Sequence, residues 1–298
     1  MDFTARKRQS ILLFQHSFFR IMEVKISAAD IQKLREITGA GMMDCKKALQ
    51  ESNGDYEAAQ DYLRKKGIAK AAKREDREAK EGVVVALTSP DQTQGIIIAL
   101  NCETDFVARN ENFINMANKI AGIALETFPE SLEALLELPY EGAITIREKV
   151  GEQTGIIGEK IDLSRFEPVT GAQILIYNHS NNKRSVLVAL NKKSENFEQA
   201  GRDVAMQIAA MNPVSVSKDD VDQSIIEKEI EIGKELARNE GKAEEMLEKI
   251  ALGRLNKFFQ DSTLLSQKFV KNNDQTVLQY LQSLDKELTV TAFKHVSL

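Results

Sequence analysis

The residue types that most often carry chemistry are scarce in this sequence and lie far apart. The three histidines, His16, His179 and His295, are too few and too scattered for a metal site or a catalytic constellation. The two cysteines, Cys45 and Cys102, form no CxxC pair, so we predict neither a disulfide framework nor a zinc cluster. Both thiols are expected to be small buried hydrophobic groups in a reducing cytoplasm. We therefore expect no bound metal and no covalent enzyme mechanism.

Phosphate-binding glycine loops are not found in the sequence either. It contains no GxxxxGK[ST] motif, and Gly39 and Gly41 are followed by Asp44 where a dinucleotide fingerprint needs its third glycine. An enzyme would have to build its pocket from carboxylates and lysines, and no spacing singles out a pair of them. The formal net charge of -5 argues against a protein that mainly neutralises phosphates. No run approaches the ~18 apolar residues of a membrane helix, so neither nucleic acid nor a membrane is an expected partner.

Three short amphipathic helices are predicted in the first part of the sequence. The first begins at a capping box of Ser27 and Asp30 and ends at Gly39, and the second carries Cys45 on its apolar face. The third ends at Gly67. Around this end, residues 64–80 hold eight Lys/Arg and three Asp/Glu. Such a stretch is either a solvated spacer or a contact for an acidic partner surface, and the composition does not separate the two.

Two similar series of elements occupy the middle of the sequence. Each series consists of two strands joined by a turn, followed by a helix. The predicted elements are strands at Val83–Leu87 and Ile96–Leu100 with a helix at Asn112–Thr127, and strands at Ile174–Tyr177 and Val186–Leu190 with a helix at Phe197–Met211.

The two series also share sequence, which predicts a duplicated subdomain. Ala99-Leu100-Asn101 recurs as Ala189-Leu190-Asn191, and Glu111-Asn112-Phe113 recurs as Glu195-Asn196-Phe197. The first pair is offset by 90 residues and the second by 84, so the first copy holds six extra residues between strand and helix. They lie within residues 102–110, which contain the sequence TDFV. An insertion at such a connection projects from the scaffold, where binding residues often lie.

Beyond Pro213 the pattern predicts an antiparallel helical hairpin that turns at residues 239–241. The tail then offers a helix at Leu278–Leu284 and a strand at Leu288–Phe293. This strand is expected to rejoin the preceding sheet.

Several motifs resemble those of the elongation factor Ts family. Residues 38–49, TGAGMMDCKKAL, look like its N-terminal signature, and residues 101–108, NCETDFVA, look like its second signature. Shorter similar segments follow in order at residues 150–152, 177–179, 208–213 and 254–259. Together these segments cover the sequence from Met22 onward.

The resemblance implies an α+β fold that agrees with the order of elements above. It comprises an N-terminal three-helix bundle like a ubiquitin-associated (UBA) domain, a duplicated α+β core with antiparallel sheets, and an inserted antiparallel helical hairpin. We assign residues 1–21 to an extension, 22–67 to the UBA-like domain, 68–81 to a charged linker, 82–158 and 159–218 to the N- and C-subdomains of the core, 219–258 to the coiled-coil-like hairpin and 259–298 to a C-terminal module that rejoins the core. The extension is either a presequence or a non-functional segment, disordered or not translated, upstream of a start at Met22. We favour the second interpretation.

The resemblance further implies a guanine nucleotide exchange factor for elongation factor Tu, a translational GTPase. In the family, the Asp-Phe pair of the TDFV motif enters the GTPase near its magnesium site, and Asp105 and Phe106 occupy those positions. Release of GDP then lets GTP bind. Such a factor is not an enzyme and needs no cofactor, because its partner carries the nucleotide and the magnesium. A dimer of heterodimers is a further assembly that the resemblance allows.

Two sets of GTPase-binding residues follow from the resemblance. The primary set, which disturbs the magnesium site, is Thr104, Asp105, Phe106 and Val107. The secondary set is Met42, Met43, Lys46, Lys47, Val150, Gly151 and His179. The structural alternatives are a core Phe106, methionines that fill core gaps, and packing of the helix whose end is expected at Val150 and Gly151. Ser180 stands where the family usually has glycine, which changes the turn after His179.

An adaptor whose three-helix head binds ubiquitin-like or helical partners is a second hypothesis. It would explain residues 39–67 but leaves the duplicated core and the six-residue insertion without a purpose. Removing the head separates the two, since an adaptor would lose all binding and an exchange factor would keep some through its core.

Overall fold

A computed structural model describes residues 26–179 and 182–298. The predicted extension (residues 1–21), with His16, and the loop residue Ser180 lie outside the described residues. The elements in chain order are α1 (Ala28–Thr38), α2 (Met42–Glu51), α3 (Tyr56–Ala72), β1 (Glu81–Thr88), β2 (Gln94–Cys102), α4 (Asp105–Ala108), α5 (Glu111–Thr127), α6 (Leu132–Leu136), β3 (Pro139–Glu141), β4 (Ile144–Thr145), α7 (Ile146–Ile157), β5 (Asp162–Thr170), β6 (Gln173–Asn178), β7 (Arg184–Leu190), α8 (Glu198–Met211), α9 (Gln223–Asn239), α10 (Glu244–Ser262), β8 (Lys268–Phe269), β9 (Asn272–Thr276), α11 (Val277–Leu284) and β10 (Val290–Ser297). Helices combined with antiparallel sheets confirm the predicted α+β class.

The contacts divide the chain into two units. The first holds the described residues up to Ala72 together with Gly151–Gly158, and the second holds Lys73–Val150 and Glu159–Leu298. Each unit is described by itself.

The first unit contains three helices around one small apolar core. The Ser27 hydroxyl caps α1 by accepting from the Asp30 amide at 3.1 Å, and Gly39 ends the helix in the left-handed conformation with φ 71°. Leu34, Cys45 and other apolar side chains from the three helices are buried together. The predicted capping box, helix order and buried Cys45 are confirmed, whereas the likeness of the bundle to a UBA domain stays a prediction.

Helix α3 ends five residues later than predicted. Gly67 is not its stop signal, because the helix continues to Ala72. A Cβ atom added at Gly155 of α7 would lie 2.3 Å from the Gly67 Cα. The glycine is therefore explained by close approach of another backbone, a long-range contact that composition does not reveal.

The second unit contains two three-stranded antiparallel sheets with the same plan. Their strand orders are β1-β2-β5 and β6-β7-β10, and each consists of a hairpin plus a third strand that returns after a helix. We call β1, β2, α5 and β5 the first copy and β6, β7, α8 and β10 the second copy.

Strand β5 was not predicted from the sequence. It lies within the 159–218 segment that we assigned to the second copy, yet it pairs with β2 of the first copy. The returning third strand of the second copy is instead β10, which pairs with β7 as the predicted tail strand was expected to do. The helix and two strands of each copy agree with the predicted series.

The two sheets pack face to face in the second unit. Alternate side chains of the sheets, among them Ala86 and Ile97 from one and Leu187 and Ala189 from the other, form a shared apolar cluster. Helix α5 packs against β1 and β2. Helix α8 covers the other face of the second sheet, where it shares a cluster with residues of β8 and α11. Both long helices thus face a sheet that is buried on both sides.

The remaining elements extend the second copy between its helix and its third strand. Helices α9 and α10 form the predicted antiparallel hairpin, and they approach closely at Gly233, where an added Cβ would lie 3.0 Å from the Ala251 Cα. The short β8–β9 hairpin, which was not predicted, and the predicted helix α11 follow. Within the described residues, no helix is long and apolar enough to cross a membrane.

Candidate functional site

The TDFV residues form a single exposed helical turn between β2 and α5. Helix α4 spans only Asp105–Ala108, begins after Thr104 and is followed by Arg109. The Asn110 side chain then caps α5 by accepting from the Asn112 amide at 2.9 Å. We call residues 104–109 the exposed turn. The six-residue insertion thus projects from a strand-to-helix connection, as the sequence predicts.

The side chains of the exposed turn divide into outer and inner groups. Phe106 is 83% exposed, the largest exposed fraction of any large apolar side chain among the described residues. Val107 is half-buried and Ala108 is buried, so one side of α4 packs against the scaffold. The Asp105 carboxylate lies 3.0 Å from the Arg109 guanidinium in an exposed ion pair. Phe106 is therefore free to enter a partner, and the packed alternative does not hold for it.

Two glutamates hold the start of the exposed turn. The Glu159 carboxylate accepts hydrogen bonds from the amides of Glu103 and Thr104, at 3.1 and 3.0 Å, and from the Thr104 hydroxyl at 2.7 Å. In the opposite direction, the Glu103 carboxylate accepts from the Lys160 amide at 2.6 Å. We call these four residues the carboxylate clasp. It ties the exposed turn to the segment that precedes β5.

Electrostatics strengthen the clasp on the Glu103 side. The pKa of the Glu103 carboxyl lies below its ordinary value, first because it accepts the Lys160 backbone N–H and then because Arg77 and Arg74 lie beside it. Beneath the turn, the buried Cys102 thiol donates to the Thr104 carbonyl at 3.1 Å. Burial, aided by the charge of Glu159, raises the pKa of this thiol to about 12. The predicted burial of Cys102 is confirmed, and the thiol is inert at neutral pH.

The charged stretch before β1 is partly used inside the chain. In the first unit, Lys66 and Lys70 donate to the Asp44 carboxylate at 2.6 and 3.2 Å. In the second unit, Arg77 pairs with Glu103 at 3.2 Å, and the Lys160 ammonium donates to the Glu75 carbonyl at 2.6 Å. The stretch is therefore more than a solvated spacer.

His179 lies on an exposed turn after β6. Its Nδ1 atom is 2.9 Å from the Tyr177 hydroxyl, and its carbonyl accepts from the Asn182 amide at 3.0 Å. Asn182 and Asp105 line one cleft of about 400 Å³. Within the second unit, the structure thus brings Asn182, three residues after His179, close to the exposed turn.

The secondary residues of the first unit lie on the first two turns of α2. Met42 and Met43 are 47% and 75% exposed, and Lys46 and Lys47 are exposed as well. The methionines therefore do not fill a core gap in this structure. Their exposure leaves them available for contact with a partner.

Val150 and Gly151 differ from the expectation. They lie in the middle of α7 rather than at a helix end, and both are buried. A Cβ added at Gly151 would lie 3.3 Å from the Ile68 Cγ1 atom. Burial at these positions favours packing over direct contact with a partner.

Sequence reasoning missed the residues that support the exposed turn. Glu159 and Lys160 lie more than fifty residues from Thr104, and no spacing in the sequence connects them. Across residues 26–179 and 182–298, no group of three or more His, Cys, Asp or Glu side chains is placed to hold a metal ion.

Comparison with known proteins places this arrangement in a family. The sequence model of the family described as Elongation factor TS matches residues 103–298, about two thirds of the chain, beginning at the clasp residue Glu103. The chain belongs to the elongation factor Ts family. It is 50% identical to elongation factor Ts of Christiangramia forsetii over 274 residues, which cover 92% of this chain and 99% of that relative. It is also 50% identical to elongation factor Ts of Flavobacterium psychrophilum over 273 residues, covering 92% and 98% of the two chains.

A third relative, elongation factor Ts of Cytophaga hutchinsonii, is 50% identical over 274 residues, with 92% of this chain and 99% of that protein covered. Membership of the elongation factor Ts family confirms the resemblance drawn from the motifs. It supports the nucleotide-exchange role for elongation factor Tu in translation elongation.

Proposed function

We propose that this chain binds the GDP-bound form of elongation factor Tu, disturbs the magnesium and phosphate end of its nucleotide site, and speeds GDP release so that GTP can bind. The observation that carries the proposal is the exposed turn, where an 83% exposed Phe106 stands beside the Asp105 carboxylate on a supported backbone.

Phe106 supplies the energy for opening the partner's site. Burial of a phenylalanine side chain in a cleft of the partner contributes about 1.5 to 3 kcal/mol. If this energy separates elements of the nucleotide site, release of GDP becomes about tenfold to hundredfold faster, at about 1.4 kcal/mol per tenfold in rate.

Asp105 acts on the magnesium end of the same site. Its carboxylate competes for the water ligands of the ion or repels the phosphate of the nucleotide. In the free protein it pairs with Arg109 at 3.0 Å on an exposed surface, and such an exposed i,i+4 pair contributes only about 0.3 to 0.5 kcal/mol. Breaking this ion pair so that the carboxylate can contact a partner therefore costs little free energy.

The remaining contacts hold the complex together. Met42, Met43, Lys46 and Lys47 offer an exposed apolar and basic surface on α2, and His179 lies on a second exposed turn. The mechanism needs no catalytic acid, base or cofactor in this chain, because the GTPase carries the nucleotide and the magnesium. The coupling is reciprocal. This protein weakens the binding of GDP to the GTPase by a certain ratio, and GDP weakens the binding of this protein by the same ratio. We place this activity in the cytoplasm.

Stopped-flow release of a fluorescent GDP analogue from elongation factor Tu tests the proposal. Wild-type protein is expected to accelerate release, and Asp105→Ala/Phe106→Ala to lose most of the acceleration. Leu284→Ala, which truncates a 48% exposed leucine of α11, is the control and should behave like wild type. Unchanged acceleration by the double variant would move the site elsewhere, and no acceleration by wild type would remove the proposed function.

A further inference from the structure

The exposed turn cannot hold its own conformation. Helix α4 contains four residues, and a helix this short is unstable without outside support because nucleation is costly. Its N-cap residue Thr104 makes no side-chain capping bond. The Thr104 hydroxyl donates to Glu159 instead, at 2.7 Å. The support for α4 thus comes from outside the turn.

One carboxylate accepts three hydrogen bonds at the start of the turn. Glu159 uses one oxygen for the amides of Glu103 and Thr104 and the other for the Thr104 hydroxyl. Charge-assisted hydrogen bonds of this kind are stronger than neutral ones. Because both amides precede α4 directly, they fix the direction in which the chain enters the turn. The Glu103 carboxylate closes the clasp by accepting from the Lys160 amide at 2.6 Å.

The direction of Phe106 depends on this backbone. With 83% of its side chain exposed, Phe106 has little packing of its own to fix its position. A misplacement of about 1 Å at a working group can cost up to about a hundredfold in rate.

We infer that Glu159 is a positioning residue for nucleotide exchange, whose carboxylate holds the exposed turn so that Asp105 and Phe106 meet the GTPase in a fixed geometry. The inference rests on the proposed function and deepens it. Glu159 acts through Phe106 and does not touch the partner's nucleotide site itself.

The first measurement is made on the free protein. Amide hydrogen exchange of residues 103–108 is compared in wild type and Glu159→Ala, with Glu133→Ala as the matched control, because Glu133 is an exposed glutamate that pairs with Arg147 on the surface. Amide exchange in the exposed turn is expected to be about tenfold faster in Glu159→Ala, because the hydrogen bonds from residues 103 and 104 to the Glu159 carboxylate are lost. Exchange in β2 and β5 should stay as in wild type. Unchanged exchange in the turn would overturn the inference.

The second measurement is the rate of GDP release as a function of factor concentration. Glu159→Ala is expected to lower the maximal rate about tenfold while changing the half-saturating concentration little, because an interaction realised mainly during release affects the maximal rate. Glu133→Ala should match wild type. Should the alanine variant unfold, Glu159→Gln keeps the size and one acceptor oxygen, and is expected to lower the rate about threefold, a partial loss.

A double-variant cycle separates an effect that acts through Phe106 from a general loss of folding or activity. Glu159→Ala added to Phe106→Ala should lower the rate no further, because the carboxylate works through Phe106. Equal losses with and without Phe106, or no loss from Glu159→Ala, would overturn the inference and leave the proposed function standing. Wild-type protein that does not accelerate release would overturn both, and a Phe106→Ala variant as fast as wild type would overturn both the site and the positioning role.

Discussion

The first and second copies of the core share a frame down to local irregularities. In β5 the bulged residue is Ser164, opposite Ala99 and Leu100, and in β10 it is Thr291, opposite Ala189 and Leu190. The two helices also end alike, since Phe128 and Asn212 adopt left-handed conformations with φ 46° and 45°. Because both copies share these details, the strands and the helix are not where the two copies differ most.

The connection between second strand and helix does distinguish them. In the first copy it carries the exposed turn. In the second copy the stretch equivalent to residues 102–110 is residues 192–194, where Lys192 pairs with Asp285 at 2.9 Å and the Ser194 amide donates to the Gln173 side chain at 3.2 Å. One copy uses this position to present an aromatic side chain, and the other closes it. The candidate site therefore lies at a connection where the two copies differ.

Shortening the first connection gives the largest expected effect. Residues 103–110 are replaced by a Lys-Ser pair, as in Lys193-Ser194 of the second copy. The change keeps the buried Cys102 and supplies a serine cap for α5. Because the exposed turn is removed, stimulated GDP release is expected to fall by about tenfold to hundredfold. Stopped-flow release measures the fall, and circular dichroism checks that the helices remain. Retained stimulation would show that the difference between the copies has no bearing on exchange.

The packing of the two helices offers a second comparison. Gly201 of α8 stands where α5 has Ala117, and Leu175 of β6 stands where β1 has Val85, as the strand registers show. A Cβ added at Gly201 would lie 2.5 Å from the Leu175 Cγ. Gly201→Ala is therefore expected to lower the free energy of unfolding by about 1 to 3 kcal/mol through overpacking.

Urea denaturation of a double variant sharpens this prediction. Leu175→Ala removes the Cγ and Cδ2 atoms that would lie 2.5 and 2.6 Å from the added Cβ, so Gly201→Ala/Leu175→Ala should cost less than the sum of the single changes. In the first copy, Ala117→Gly is expected to cost about 1 kcal/mol, mainly through helix propensity. Additive losses in the second copy would mean that the paired volumes are not coupled.

Equivalent asparagines lie at the end of the second strand of each copy, Asn101 inside β2 and Asn191 directly after β7, and they differ in burial. Asn101 is 6% exposed, donates to the Ala79 carbonyl at 3.0 Å and accepts from the Ser164 hydroxyl at 2.6 Å. Asn191 is exposed, although its side chain also makes two hydrogen bonds with the segment before β10. Asn101→Ala should cost about 1 to 3 kcal/mol because partly buried partners are left unpaired, and Asn191→Ala about 0.5 to 1.5 kcal/mol. Equal losses by thermal or urea unfolding would contradict the comparison.

The smallest expected effect concerns acid groups at the two connections. The pKa of Glu103 lies below its ordinary 4.5, chiefly because of the Lys160 amide, and the pKa of Asp285 lies below its ordinary 3.8, chiefly because of the Lys192 ammonium. Each depressed pKa contributes stability that is present above the ordinary value and is lost as pH falls through the folded value. One molar salt, with a screening length of about 3 Å, should raise the pKa of Asp285 more than that of Glu103. Carbon-detected NMR titration at two salt concentrations measures both, and equal shifts would argue against a backbone origin for Glu103.

Local pattern predicted much of the fold. The apolar runs and the two repeated tripeptides indicated both strand-turn-strand-helix series, and the helical hairpin followed from turn residues and helical spacing. Strand β5 was missed because Arg165, Glu167 and Pro168 interrupt its apolar pattern. Such a sequence is tolerated at a sheet edge, which is where β5 lies. The continuation of α3 past Gly67 was missed because the close contact with Gly155 is long-range.

The candidate site was predicted less completely than the fold. The offset between the repeats located the insertion, and the exposure of Phe106 agrees with a projecting loop. Its support by Glu159 depends on a fold that brings distant residues together, which periodicity cannot show. Val150 and Gly151 were predicted at a helix end because the prediction rested on a short motif and did not include the whole helix Ile146–Ile157. The structure buries both residues.

The route of the chain through the second copy has a consequence for its biosynthesis. The first sheet has all its strands once Thr170 has been made, whereas the second sheet waits for Val290–Ser297, after the hairpin and α11. Strand β7 is complete at Leu190, and at about 5 to 20 residues per second the stretch from there to Val290 takes roughly 5 to 20 seconds to translate. During that interval one edge of β7 has no partner strand, and an unpaired edge readily recruits other chains. A nascent chain paused in this interval would be the form most in need of a chaperone.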